Sequence, residues 1–440
     1  MARLFGTDGV RGIANTELTP QMAFSIGRAL VSTLGATHKP LVAIGKDTRI
    51  SGDMLEMALA AGITSAGADV LFAGVVPTPA VALLTRENTD AGVVVSASHN
   101  PFEYNGIKIF GKGGQKLTDA MEDEIEAAMS QTSPLPTGGG LGRVRADENA
   151  AICYIDYLLA CASPDLSGLR IAIDCANGAA SSTARTLFTA LNPKELLIIH
   201  DRPDGCNIND RCGSTDMKSL AQAVIGGGYD IGIAFDGDAD RCLCVDGMGK
   251  AINGDLIMAV CALQEQKAGN LPNDTFVSTV MSNLGLHEWV KAKGLRTVSA
   301  GVGDRYVLAE MSKGGYLLGG EQSGHVVFSR HSTTGDGQLT ALKLLAAMAE
   351  TGGSLASLTS EIPIYPQVLL NIHVTAERKL SYDSDPSVTS AIKKAEETLG
   401  ESGRVLVRAS GTEPLVRVMV EGKDNGEILR FAEEIGEFIK

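Results

Sequence analysis

Short apolar runs rich in β-branched residues alternate along this chain with longer amphipathic stretches. Leu41–Ile44, Gly92–Val95, Leu169–Ile173, Ile231–Phe235 and Phe276–Val280 have the length and composition of buried strands. Pro20–Leu34, Asp53–Ala66, Leu117–Met129 and Leu339–Met348 carry apolar residues at helical spacing. This alternation predicts mostly parallel sheets covered by helices, built more than once. Towards the end the pattern changes. A strand (Val368–Val374), a helix (Val388–Leu399), a strand pair around Arg404–Val420 and a last helix (Glu427–Lys440) predict a smaller α+β unit. Breaks at the Pro- and Gly-rich Ser133–Arg143, the turn Asp246–Gly249 and Pro363–Pro366 divide the chain into 1–150, 151–250, 251–363 and 364–440.

Three of the apolar runs pass straight into polar loops: VAIGKDTRISG, IGIAFDGDADR and YLLGGEQSGH. Sites in α/β sheets gather at the carboxyl ends of strands, so these loops are where chemistry is expected. In IAFDGDADR, Asp236, Asp238 and Asp240 alternate, and an extended backbone would aim all three to one side. Carboxylates so close repel unless a cation holds them, and oxygen ligands favour Mg²⁺ or Ca²⁺. An EF-hand is excluded, because Arg241 and Gly247 stand where its glycine and its last glutamate belong. In VVVSASHNPFEYNGIK a buried strand ends in Ser96, Ala97, Ser98 and His99. Either serine could be a nucleophile or a turn residue, and spacing does not choose between them. Neighbours in sequence such as Ser98 and His99 rarely point at one another. RVLVRASGTEPLVRVMVEG places Arg408, Ser410, Gly411, Thr412 and Arg417 around a turn, as a phosphate cradle would. FGTDGVRG with Arg11, GKDTR, GVGDRY and GEQSGH read equally as site loops or plain turns.

Composition narrows the partners. At 440 residues with 44% apolar and 20% charged residues the chain is an ordinary multidomain globular protein. A net charge of −14 argues against nucleic acid or an anionic membrane as partner. A phosphorylated small molecule remains compatible if cations gather locally. No apolar run approaches the roughly 18 residues of a membrane span. MARLFGTDGVRG lacks the apolar core of a signal peptide, so a cytoplasmic location is expected. The eight cysteines include no C-x-x-C pair and read as reduced, mostly buried thiols. His38, His200, His287, His331 and His373 stand outside any motif. GIKIFGKG is a false P-loop, with Gly113 in place of the required Ser or Thr.

Taken in order, SASHNP, DGDADR, GEQSGH and RASGTEPLVRV resemble the α-D-phosphohexomutase superfamily, and FGTDGVRG with GEQSGH is most similar to its phosphoglucosamine mutase branch. The resemblance covers nearly the whole chain. It implies an α/β protein of four domains around a central cleft, three related α/β domains plus a smaller C-terminal one. It implies phosphoryl transfer between the 6- and 1-positions of a hexosamine, with one Mg²⁺ and a hexose or hexosamine 1,6-bisphosphate as primer and intermediate. It selects Ser98 over Ser96 as the phosphorylated residue, with Asp236, Asp238, Asp240 and the Ser98 phosphate as metal ligands. It gives Arg241 a contact to that phosphate, and Glu321 and Ser323 the sugar hydroxyls. Arg408, Ser410, Gly411, Thr412 and Arg417 would hold the non-reacting phosphate. Arg11, His99 and Lys108 would lie near the reacting oxygens, and a lysine crowded by Arg11 and a metal ion should have a lowered pKa. The same chemistry on glucose or mannose phosphate, or hydrolysis of the phosphoserine, is the alternative. A homodimer is compatible with the sequence.

Overall fold

The computed structural model describes residues 3–6, 8–131, 134–410 and 414–440. It divides into two compact units, Met1–Met281 with Leu295–Ser360, and Ser282–Gly294 with Glu361–Lys440. The first unit holds three sheets. One contains β1 (Val10–Ile13), β2 (Leu41–Lys46), β3 (Asp69–Val75), β4 (Ala91–Val95), β5 (Tyr104–Gly111), β6 (Gln115–Lys116) and β7 (Val144–Ala146), in the order β1-β5-β4-β2-β3-β7 with β6 beside β5. The next contains β8 (Arg170–Asp174), β9 (Glu195–Ile199), β10 (Ile231–Phe235), β11 (Cys242–Asp246) and β12 (Ala251–Ile252), in the order β12-β11-β10-β8-β9. The third is β13 (Thr275–Thr279), β14 (Arg296–Ala300), β15 (Leu318–Gly320) and β16 (Val326–Phe328), in the order β14-β13-β15-β16. The second unit has its own antiparallel sheet, β17 (Gln367–His373), β18 (Gly403–Ala409) and β19 (Leu415–Gly422), with β19 central.

Each large sheet has a parallel core. β2 runs parallel to β3 and β4, β8 to β9 and β10, and β13 to β14 and β15. Within each sheet the carboxyl ends therefore share one edge, and their loops gather there. β4 and β10 are buried at every residue, which is why they read as unbroken apolar runs.

Local signals set the helices. Thr19 accepts a bond from the Met22 amide at 3.2 Å and Pro20 opens the helix Pro20–Thr33. Its buried Ile26 and Leu30 join Leu55, Leu59 and Ile63 of Ser51–Ser65 in the core under the first sheet. Asp336 caps Gly337–Thr351, accepting from the Leu339 amide at 2.9 Å and from the Tyr154 hydroxyl at 2.8 Å.

That cap carries a pH signature. Burial lifts the Asp336 carboxyl to about 6, although the Leu339 amide and the Tyr154 hydroxyl pull it down. From the ordinary 3.8 up to about 6 the folded chain keeps a proton that the unfolded chain has released. Stability from this group therefore falls as pH rises through that window. Asp336→Asn keeps an N-cap acceptor and cannot ionise, so its melting temperature should lack this decline. An unchanged slope in thermal scans across pH would show that the carboxylate is not the source.

Candidate active site

The serine loop is built from buried polar links. After β4 the backbone turns so sharply that Ser98 has φ 51°, a conformation costing a serine about 1–3 kcal/mol. Three partners hold it. The Ser98 amide donates to Ser96 Oγ at 2.9 Å, and Ser96 Oγ donates to Asp47 Oδ2 at 2.6 Å. Arg49, fully buried and paired with Asp47 at 2.8 Å, donates to the carbonyls of Ser98 (2.9 Å), Asn100 (2.8 Å), Tyr104 (3.0 Å) and Pro101. Asn209 also donates to the Ser98 carbonyl, at 2.9 Å. Ser96 is thus committed to the scaffold. Ser98 Oγ instead faces outward from the loop, donating to Asp236 Oδ2 at 2.7 Å and lying 3.3 Å from His99 Nδ1. The expectation that Ser98 and His99 diverge fails because the left-handed backbone at Ser98 brings the two side chains round to one side.

β10 delivers the three aspartates, by a different geometry from the one the alternation suggested. The segment is a turn, with the Ala239 amide bonded to the Asp236 carbonyl at 3.1 Å and Ala239 at φ 56°. The turn, not an extended backbone, makes the carboxylates converge, with one oxygen of each within 4.8 Å of the others. Gly237 permits the approach of the serine loop. A Cβ there would lie 2.4 Å from the Ser98 carbonyl oxygen.

Charge is balanced around this turn. Lys108 Nζ lies 2.7 Å from Asp238, 3.2 Å from Asp8 and 3.4 Å from Asp240. Thr78 donates to Asp238 at 2.7 Å. Burial and the repulsion of Asp240 and Asp238 push the Asp236 carboxyl well up. Burial pushes Asp240 up too, but Lys108 and His325 outweigh it and hold that carboxyl well below the usual range. Burial lowers the Lys108 pKa, but Asp238, Asp8 and Asp240 outweigh burial and Arg11 and hold it well above that of a free lysine. His99 moves the other way, to about 4, through burial and the positive charges of Arg241 and Arg11.

The residues fit a hard divalent cation. Asp238 Oδ1 and Asp240 Oδ1 are buried and make no hydrogen bond, and buried oxygens of this kind call for a partner. Around them stand groups suited to a phosphorylated sugar. Arg241 Nε is 3.8 Å from both Asp236 and Asp240, and Arg11 bonds Asp8 and reaches Asn100 at 3.2 Å. Arg11 Nε, Arg241 Nε and Glu321 Oε1 are also buried without a hydrogen bond. Ser323 donates to the other Glu321 oxygen at 3.2 Å. His325 lies 3.5 Å from Asp240 and 3.7 Å from Asp304, and Lys116 joins Asp304 to Asp8.

Ser98, His99, Arg11, Lys108, Asp236, Asp238, Asp240, Arg241, Glu321 and Ser323 thus all belong to the first unit. In the second unit, Arg408 and Arg417 are register partners across β18 and β19. Burial and the neighbouring Arg417 lower the Arg408 pKa, so this pair of cations suits an anion. Ser410 closes the turn through its amide to the Leu415 carbonyl at 2.9 Å. Gly411 and Thr412 lie outside the described residues.

Sequence reasoning singled out the loops containing Asp8, Asp47, Arg49, Asp304 and His325 but gave these residues no task. Thr78, Lys116 and Asn209 had no signal, because they meet the site only through the fold.

The phosphoglucomutase/phosphomannomutase family descriptions match the chain in order: alpha/beta/alpha domain I over residues 2–135, domain II over 153–249, domain III over 253–365 and the C-terminal domain over 369–437. The chain belongs to this family. It is therefore an enzyme of the phosphohexomutase superfamily, with the four-domain α/β architecture that the sequence predicts. It is 52% identical to a phosphoglucosamine mutase of Thermoanaerobacter sp., over 100% of this chain and 99% of that one. A phosphoglucosamine mutase of Clostridium novyi is 51% identical over the same shares. A crystal structure of a phosphoglucomutase/phosphomannomutase family protein from Burkholderia thailandensis superposes with TM-score 0.84 at 26% identity, covering 100% of this chain and 97% of that one.

Arg49 offers the sharpest test of the serine loop. A lysine there keeps the charge but cannot fan planar donors to four carbonyls. Arg49→Lys should cost mutase kcat about a hundredfold, the scale of misplacing a reacting atom by an ångström, with the circular dichroism spectrum retained. Full turnover would show that Ser98 is oriented without this guanidinium.

Proposed function

We propose that the chain interconverts glucosamine 6-phosphate and glucosamine 1-phosphate through a phosphoserine at Ser98 and a 1,6-bisphosphate intermediate. The observation that carries the reading is the Ser98 hydroxyl seated on Asp236 at 2.7 Å, at the mouth of three converging carboxylates. The identity to phosphoglucosamine mutases along the whole chain supports the choice of sugar.

Asp236, Asp238 and Asp240 would hold Mg²⁺ together with a phosphate oxygen on Ser98. When bound, the ion offsets the negative charge that develops on the transferring phosphoryl group. The chain's own part is position and charge, which dominate phosphoryl transfer. Ser98 carries the phosphoryl group and passes it to the free hydroxyl of the bound monophosphate. Arg241 and Arg11 face the group in flight. His99, kept neutral, is in the form that accepts the hydroxyl proton, and Lys108, kept charged, is in the form that supplies one. Glu321 and Ser323 bind sugar hydroxyls, and Arg408, Ser410, Gly411, Thr412 and Arg417 take the phosphate that is not reacting. The bisphosphate turns over, returns its other phosphoryl group to Ser98 and leaves as the isomer. A cytoplasmic location fits this substrate and the eight free cysteines, and among the described residues no helix is long and apolar enough to cross a membrane.

The test pairs Ser98→Ala with Ser96→Ala and a chelator. Ser98→Ala should lose more than about a thousandfold in kcat, as removal of a nucleophile does. Ser96→Ala should stay active at a reduced rate, and chelation should stop the parent until Mg²⁺ is restored. Glucosamine 6-phosphate should outrun glucose and mannose 6-phosphates in kcat/KM. Activity in Ser98→Ala, or inorganic phosphate released without isomer, would overturn the reading.

A further inference from the structure

A second cluster lies behind the serine loop, in the sheet that carries the aspartates. Asp174 ends β8, and His200 follows the neighbouring strand β9. Cys212 lies further on, just before a tight helical turn at Gly213–Thr215. One ligand atom from each of the three lies within 4.8 Å of the others. The set mixes a carboxylate, an imidazole and a thiol, and so differs in kind from the all-oxygen aspartate site.

A buried carboxylate paired with an imidazole, and a buried thiol, make up the set. Asp174 and Cys212 are wholly buried, and the His200 ring is 29% exposed. Asp174 Oδ1 accepts from the Ala176 amide at 2.8 Å, which fixes the carboxylate. Its Oδ2 faces His200 Nδ1 across 2.9 Å as an ion pair, and this partner raises the His200 pKa. Asn177 Nδ2 sits 3.9 Å from Cys212 Sγ, and the Asn177 amide donates to the His200 carbonyl at 2.7 Å. Ala176, Asn177 and His200 all have φ near +50° (55°, 47° and 48°), so backbone strain is concentrated where the three loops meet.

We propose that Asp174, His200 and Cys212 form a second metal site, for a borderline-soft divalent ion of the Zn²⁺ class. Thiolate and imidazole select such an ion over Mg²⁺, and the charges of one thiolate and one carboxylate match its own. On binding, Cys212 gives its thiol proton to solvent as the sulfur–metal bond forms. The exposed edge of His200 provides the way in, and the fourth coordination position is left to water. The ion ties the ends of β8 and β9 to the segment bearing Asn209, whose side chain bonds the Ser98 and Asn100 carbonyls at 2.9 and 3.2 Å. It acts as a structural clasp on the scaffold of the serine loop. Spacing gave no warning of it, because its ligands come from three separate loops.

The probe is Co²⁺, added to the metal-stripped full chain in excess Mg²⁺. The expected result is one cobalt per chain by equilibrium dialysis, with a thiolate-to-cobalt charge-transfer band and the strong visible bands of a four-coordinate site. Cys212→Ser should remove the charge-transfer band. His200→Asn, which tolerates the positive φ at a partly exposed position, should weaken binding about tenfold or more. Asp238→Asn should leave the spectrum unchanged. Absence of the charge-transfer band, its persistence in Cys212→Ser, or undiminished affinity in His200→Asn would overturn the proposal. His200→Asn decides the matter if Cys212→Ser does not fold.

Discussion

Three carboxylates buried at the end of one strand cannot all be ionised without positive charge among them, and the first unit is arranged around that constraint. Asp236, Asp238 and Asp240 are between 0% and 3% exposed. Lys108 comes from β5, Arg241 from the same turn and His325 from the loop after β15, so three sheets contribute basic groups. The result is divided titration, with Asp236 pushed up and Asp240 pushed down. A divalent ion would complete what these basic groups do incompletely, since Asp238 Oδ1 and Asp240 Oδ1 keep no hydrogen bond.

The serine loop answers the same need from the other side. Ser98 turns its hydroxyl to Asp236, and the strained backbone that allows this is held by donors aimed at its carbonyls. Those donors, Arg49 and Asn209, come from different sheets. The serine loop and the aspartate turn are therefore held against each other, and Gly237 is small because the two backbones touch there. Arg49 is a buried cation whose compensation is almost wholly local, in Asp47 and four carbonyls, which makes it a rigid strut.

Much of this was legible in the chain. Strands buried on both faces, such as β4 and β10, stood out as apolar runs, and the loops after them were where the polar motifs lay. The motifs named the serine and the aspartates because a whole ordered set of them matched one superfamily. Geometry was less legible. The aspartates converge through a left-handed Ala239, and nothing in DGDADR announces a positive φ at an alanine. The ion pairs of Lys108 with Asp238, Asp8 and Asp240 are equally silent in the chain, because they exist only in the fold. Thr78, Asn209, and the meeting of Asp174 with His200 and Cys212 are long-range juxtapositions with no local signature.

The central claim is that Ser98 carries the phosphoryl group in transit. It is tested most directly by mapping phosphate on the intact protein before and after a single turnover. Purified chain, phosphorylated with glucosamine 1,6-bisphosphate and freed of small molecules, should carry one phosphate in the peptide containing Ser98. If that phosphate is isotopically labelled, adding Mg²⁺ and unlabelled glucosamine 6-phosphate should pass the label to the 1-position of the sugar and leave an unlabelled phosphate on Ser98. Phosphate found on another residue, or a label that stays on Ser98 through turnover, would contradict the account.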